Sequence, residues 1–284
     1  MRPSPTQTLR LSLILLAMPL ALAACNRDGD EAAPAEVATE ADTPAQETPA
    51  ASPSNLSFAD KTEHATVSLT LPEGIKAEPD LHARTYAEEV RNLRQFEEGA
   101  LAARTEAEGD EGMPPFEKTV TVTVAGQTDR LFSLRREAFD YSGGAHPNTL
   151  TTGIVWDRSL KRVIGAPELF RKGADLTALD QALCTAVNAA RRARVPDART
   201  LTLEGRDGWA CPRAGETPFV LAPGDQAGKA GGLIFLIGPY QVGPGVEGGY
   251  EIAIPQTAFK STIATAYAGE FAGQPRRTGD VTPR

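Results

Sequence analysis

Hydrophobic residues recur along this chain with three different periods, and each period predicts a different element. From Leu11 to Ala23 the run is almost continuous, broken only by Ser12 and Pro19. It is shorter than the roughly 20 apolar residues that a bilayer-spanning helix needs. From Ala65 to Leu71 apolar and polar residues alternate, the signature of a half-buried strand, and Pro72 ends it. Between Leu81 and Ala107 the spacing becomes helical. Tyr86, Val90, Leu93 and Leu101 are expected near one face, with Glu88, Arg91, Glu98 and Arg104 elsewhere. Glu108–Gly112 is an acidic, glycine-containing turn that closes this helix before Pro114 and Pro115.

Three strands are expected next. Lys118–Ala125 carries Val120, Val122 and Val124 on one face, and Asp129–Tyr141 and Thr149–Asp157 follow, with Gly126-Gln127-Thr128 as a short hairpin link. A second helix spans Asp175 to Arg194, its buried stripe formed by Leu176, Leu179, Leu183, Val187 and Ala190, and Pro196 marks its end. Leu233–Ile237 is an apolar strand, and Tyr250–Ile254 an alternating one stopped by Pro255. Strands mixed with two long helices, without regular β-α-β alternation, define an α+β class with largely antiparallel sheets.

Charge sharpens the reading of the N-terminus. Arg2 and Arg10 precede the first apolar run and no acid does, which makes residues 1–24 an export signal. Leu22-Ala23-Ala24-Cys25 matches a bacterial lipobox, so Cys25 is expected to be lipidated after cleavage before it; the alternative is an ordinary secretory signal cut after Ala24. Two or three acyl chains anchor stably where one does not. Asn26, in place of an aspartate, favours the outer membrane over the inner, with the folded part facing the periplasm; the inner membrane and the cell surface are the alternatives. Removing residues 1–24 takes away Arg2 and Arg10 and moves the formal charge from -8 to -10. Residues 25–57 hold most of that charge in an Ala/Pro-rich segment with seven acids and Arg27, too poor in apolar residues to offset the entropy of ordering. It is expected to be a disordered tether with a reach on the order of 30 Å. Two α+β subdomains are expected to follow, 58–150 and 151–284. The chain from Leu56 onward has no basic stripe, which argues against nucleic acid as a partner.

Candidate chemistry is sparse. Cys184 and Cys211 are expected to pair in an oxidising compartment, the alternative being two separately buried thiols. No Cys-x-x-Cys motif points to redox work. His64, His82 and His146 are the only histidines, and none stands at metal-ligand spacing from a second ligand, so neither a metal nor another cofactor is expected. Gly243–Gly248 spells a dinucleotide pattern, but a strand follows it and a proline interrupts it, so it is not expected to cradle phosphates. The unusual segment is Tyr141-Ser-Gly-Gly-Ala-His-Pro-Asn148. Gly143 and Gly144 permit a sharp corner, and His146 before Pro147 is held extended. Tyr141 and His146 are thus either a polar pair on a turned loop or parts of a structural corner. Tyr240, in Gly238-Pro239-Tyr240, is likewise either a contact residue or a packing residue.

These two segments carry a resemblance. Tyr141–His146 resembles the Tyr-x-Gly-Gly-Ala-His signature of the extracytoplasmic domain family found in the RsiV anti-sigma factor and the PdaC peptidoglycan deacetylase. Trp156-Asp157 through Lys161, Pro167-Glu-Leu-Phe170, Leu233–Tyr240, Gly243-Pro244, Gly248 and Ile254-Pro255 resemble later segments of that family in the same order. The resemblance covers about residues 60–265 and implies an α+β fold of two intertwined subdomains. In the anti-sigma factor this module binds lysozyme; in the deacetylase, catalysis belongs to a separate domain that is not found here. The expectation is therefore an envelope lipoprotein with a non-catalytic binding module for lysozyme-like proteins or peptidoglycan, using Tyr141, Gly143, Gly144, His146 and Tyr240. The other readings are a cell-wall hydrolase acting through Tyr141 and His146, and a structural or assembly factor.

The lipobox generates a direct test. Metabolic labelling with a fatty-acid analogue is expected to mark the wild-type chain and not Cys25→Ser; labelling that survives the substitution refutes the assignment.

Overall fold

The computed structural model describes residues 55–106, 114–144, 146–205 and 208–283. The export signal, Cys25, nearly all of the acidic segment and the Glu108–Gly112 turn lie outside the described residues. A six-stranded sheet runs in sequence order through β1 (Ser57–Lys61), β2 (Ala65–Thr70), β3 (Phe116–Gln127), β4 (Leu131–Tyr141), β5 (Asn148–Asp157) and β6 (Arg162–Ile164). Every neighbouring pair is antiparallel except β2 and β3. That pair is parallel because α1 (Pro79–Glu106) carries the chain back between them, the long crossover a parallel pair requires. The expected division after residue 150 falls inside β5, all ten residues of which pair with β4.

Side-chain parity on β4 and β5 divides their residues between two cores. Phe132, Leu134, Ala138 and Trp156 face α1 and pack with Val67, Leu69, Val120, Val122, Leu81 and Leu93. On the same side Arg136 clamps the buried carboxylate of Glu89 through two bonds of 2.6 and 2.9 Å. Leu131 and Val155 face the other way and join a larger core. That core lies between α2 (Ala166–Leu169), α3 (Thr177–Arg194) and a second sheet ordered β10 (Gly279–Asp280), β9 (Tyr250–Pro255), β8 (Ala230–Ile237) and β7 (Phe219–Pro223). Leu179, Leu183, Val187 and Ala190 of α3 are buried in it, and Leu176 packs at its margin, as the helical stripe requires. Sheets of antiparallel pairs with two long helices establish the α+β class.

The second sheet stands with its edge on the face of the first. On β7 the backbone groups of Phe219 and Leu221 point away from β8. The Leu221 N–H donates to Ser133 Oγ at 3.1 Å. A Cβ at Gly153 would come within 2.1 Å of the Phe219 carbonyl oxygen, and one at Gly126 within 2.9 Å of the Leu221 carbonyl oxygen. Gly126 also sits at an irregularity in β3–β4 pairing. Val120 and Val122 are buried as expected, but Val124, on the same face, is 41% exposed. The expected helix face needs a similar correction. Leu101 is 51% exposed and Ala100 buried instead, because eight residues beyond Leu93 the helix has turned about 80° off its stripe.

Ionic and covalent ties hold the outer elements. Cys184 and Cys211 are bonded (S–S 2.00 Å), which excludes the alternative of two free thiols and ties α3 to the segment that follows it. Asn188 reinforces that tie, donating to the Leu201 carbonyl at 3.0 Å and accepting from the Leu201 N–H at 2.8 Å. Asp157 accepts from Arg130, from the Tyr267 hydroxyl and from the N–H groups of Ser159 and Leu160, so the Trp156-Asp157 segment is a turn-forming anchor. Burial presses its carboxyl upward, yet these bonds outweigh burial and hold it below the ordinary carboxylate value. Gly243–Gly248 forms a 3-10 turn (Gly245–Glu247) that opens no helix and returns Glu247 to Arg191 of α3 at 3.0 and 2.9 Å.

The Arg191–Glu247 pair is buried on both sides. The bonds from Arg191, with a further one from Tyr250, hold the Glu247 carboxyl below its ordinary value against the effect of burial. Its contribution is therefore complete above the unfolded-state value and is lost as pH falls through the lower folded-state value. Glu247→Gln, which leaves a buried guanidinium without its counter-charge, is expected to cost about 3 kcal/mol at neutral pH. The variant should also lose less stability than wild type on acidification. Urea unfolding across the acid range measures both; equal acid slopes would show that Glu247 is not held low.

Candidate functional site

The β4–β5 hairpin carries the glycine corner. Gly143 and Gly144 adopt φ of +83° and +93°, the left-handed region that a residue with a Cβ enters at a cost. The Tyr141 hydroxyl donates to the Gly144 carbonyl across the loop at 3.3 Å, so it braces its own corner. His146 is exposed, and among the described residues its ring has no hydrogen-bonding partner. Of the two readings of this segment, the Tyr141 hydroxyl bond follows the structural corner, and no contact between Tyr141 and His146 appears among the described residues. The other histidines are engaged elsewhere: His82 Nε2 lies 2.8 Å from the Asn55 carbonyl, and His64 lies 3.0 Å from Glu63. Among the described residues no group of three His, Cys, Asp or Glu side chains is placed to hold a metal ion.

Tyr240 stands in a different state. It is 66% exposed and has φ of +65°, in a turn where the Gly238 N–H donates to Gln241 Oε1 at 2.8 Å. A Cβ at Gly245 would come within 2.2 Å of its ring, so the ring lies directly over that glycine. A non-glycine residue in the left-handed region stores strain of order 1 kcal/mol and persists only where its surroundings hold it. Val246, on the same loop, is 93% exposed. The loop thus presents an aromatic ring and an aliphatic side chain to solvent.

The hairpin and this loop border one pocket. It occupies the corner where the second sheet stands on the first and has a volume of about 160 Å³. Arg135, Glu137, Thr149 and Thr151 of β4 and β5 form its floor; Gly238, Pro239, Tyr250 and Glu251 form its wall. Tyr141 and His146 lie beyond it at the hairpin tip, and Tyr240 adjoins it through Pro239. Arg135 spans the corner, donating from Nε to Glu251 at 2.5 Å and from Nη2 to Glu137 at 2.7 Å. Burial lowers its basicity, but the two carboxylates outweigh burial and raise it above the ordinary arginine value. Behind the wall the Tyr250 hydroxyl donates to Glu247 at 2.8 Å, and Arg194 lies over the Tyr250 ring at 3.8 Å from its centre. Burial and the neighbouring carboxylate push the Tyr250 phenol up to about 12, far from a pKa useful for proton transfer near neutrality. Arg135, Glu137 and Glu251 were not singled out from sequence. The available signal was an arginine and an acid at mid-strand positions of Leu131–Tyr141 and Tyr250–Pro255, where a solvated charge and a bridging one look alike.

A two-layered α+β module with an exposed glycine hairpin is the class, and residues 58–149 match the family model described as Deacetylase PdaC. Those residues run from β1 through the Tyr141–His146 corner, so the match covers the corner whose motif resembles that family. Among solved structures, a DUF3298 family protein from Pseudomonas aeruginosa PAO1 is similar over 77% of this chain and 94% of its own, with 20% identity and a TM-score of 0.52, a likeness of fold. A DUF3298 family member from Bacteroides fragilis NCTC 9343 is similar over 75% of this chain and 95% of its own, with 18% identity and a TM-score of 0.49. No curated protein matches the chain. No helix among the described residues is long and apolar enough to cross a membrane.

The hairpin permits a separation of fold from contact. At Gly144 an added Cβ meets nothing within 4 Å, so Gly144→Val is expected to cost only backbone strain, about 1–3 kcal/mol. His146→Ala is expected to leave thermal unfolding unchanged; a large fall in its melting temperature would make His146 a structural cap.

Proposed function

We propose that this chain is an outer-membrane lipoprotein, anchored through Cys25, whose folded part is a non-catalytic binding module for peptidoglycan or a lysozyme-like protein in the envelope. The observation that carries the reading is Tyr240: an exposed ring, held at positive φ over Gly245, beside a pocket whose charged groups are already paired. Catalysis of hydrolysis needs a positioned group free to take or give a proton. Here Arg135 engages both Glu137 and Glu251, Tyr250 holds its proton, and Tyr141 bonds its own loop. Binding needs presented aromatic and apolar anchors around polar groups fixed in advance, and large rings near the centre of an interface contribute most of its energy. The acidic segment after Cys25 suits this use, because a reach on the order of 30 Å lets the module meet partners away from the lipid surface.

The test uses the full-length protein with two probes, purified sacculi and a lysozyme. Retention of at least one without release of soluble glycan fragments is expected. Tyr240→Ala and Tyr141→Ala should each weaken retention about tenfold, through faster dissociation. Fragment release by wild type that is lost in His146→Ala would overturn the reading and establish a hydrolase.

A further inference from the structure

The second sheet covers only part of the face it stands on. The rest of that face is built from the side chains of β2 to β5 that point away from α1. Their register places Ser68 beside Thr119, Thr121 beside Glu137, and Glu137 beside Thr151. None of these side chains is buried. Ser68 and Thr119 share a hydrogen bond of 3.1 Å. Threonine suits any solvated strand, so hydroxyls alone point to no ligand. Phe139 changes that. It sits on this polar face, half-buried, with Thr119 as its partner across β3 and Thr149 across β5. It belongs to none of the three apolar cores. Its ring is therefore flanked by hydroxyls on both sides and leads along β4 into the corner pocket.

Charge on the face is mostly paired. Arg135 lies between Glu137 and Glu251. Lys61 and Glu117 flank Thr66 in one cross-strand row, one on each side. A polyanion finds no basic patch here, and the corner keeps a single acid in excess. What the surface offers is an apolar ring, hydroxyls that both donate and accept, and a guanidinium fixed by two carboxylates. A pyranose matches this set: its C–H face packs on an aromatic ring while its hydroxyls exchange hydrogen bonds at the rim.

We infer that the open face of the first sheet, from Phe139 into the Arg135 corner, binds a neutral glycan chain. The inference rests on the binding-module reading and gives that module its ligand class. Its test is titration of the full-length protein with soluble chito-oligosaccharides, β-1,4-linked N-acetylglucosamine, by calorimetry. Saturable binding is expected, nearly insensitive to salt because no net charge is matched. Phe139→Ala should weaken it at least about tenfold. If Phe139→Ala fails to fold, Thr121→Val with Thr151→Val removes two hydroxyls while keeping β-branched side chains, and should also weaken binding about tenfold without altering the melting temperature. Unchanged affinity in the folded variants overturns the assignment of this face. Absence of oligosaccharide binding, with a lysozyme still retained and weakened by Tyr240→Ala, overturns the glycan inference but leaves the binding module standing. Absence of all binding overturns both.

Discussion

The carbonyl oxygen of Phe219 occupies the space where a side chain at position 153 would stand, and the carbonyl of Leu221 does the same opposite Gly126. This backbone approach lets an edge strand, β7, use the face of another sheet as its neighbour. Exposed strand edges carry unpaired N–H and C=O groups that must be satisfied or covered. Here Ser133 Oγ accepts from Leu221 in place of a strand. The arrangement divides the face of the first sheet in two. On one side lie Leu131 and Val155, buried with α3; on the other lie Arg135 and Glu137, turned toward solvent. The corner pocket follows from that division.

What could be read from sequence depended on whether a residue's role was set locally. The strands β2, β5, β8 and β9 and the stripe of α3 follow from periodicity, because each buries one face against an ordinary core. The strand β7 was missed although all but its last residue are buried: Phe219–Pro223 is a short apolar run with a terminal proline, and its role as a standing edge is defined only by Gly126, Ser133 and Gly153, which lie far away in sequence. The site divides in the same way. The glycine corner was legible, since positive φ at Gly143 and Gly144 follows from residue type. The partner of the Tyr141 hydroxyl was not, because its direction depends on where the Gly144 carbonyl points. Arg135 and Glu251 were hidden because they are 116 residues apart and meet only through the second sheet.

Long-range charge pairs do a common job in this molecule. Arg130 with Asp157, Arg136 with Glu89, Arg191 with Glu247 and Arg194 with Asp280 each join elements distant in sequence. Such pairs contribute little net stability over apolar packing, since desolvation offsets attraction, but breaking one leaves an uncompensated charge and is costly. Their value is geometric. The last two hold the 243–250 loop and the C-terminal strand against α3, and so brace the wall of the pocket and the loop that carries Gly245.

This rigidity bears on what the module can do with a weak ligand. Association loses translational and side-chain freedom, and a flexible surface loses more of it than a fixed one. The Tyr240 ring is already immobilised over Gly245, Arg135 is held by two carboxylates, and the hydroxyls of β2 to β5 stand on a paired sheet. A partner therefore meets groups whose ordering cost was met during folding, including the strain at Tyr240. The same fixity limits chemistry: a guanidinium locked between carboxylates and a phenol raised to about 12 cannot shuttle protons. Groups that are held in fixed pairs, yet stay open to contact, suit the recognition surface proposed above.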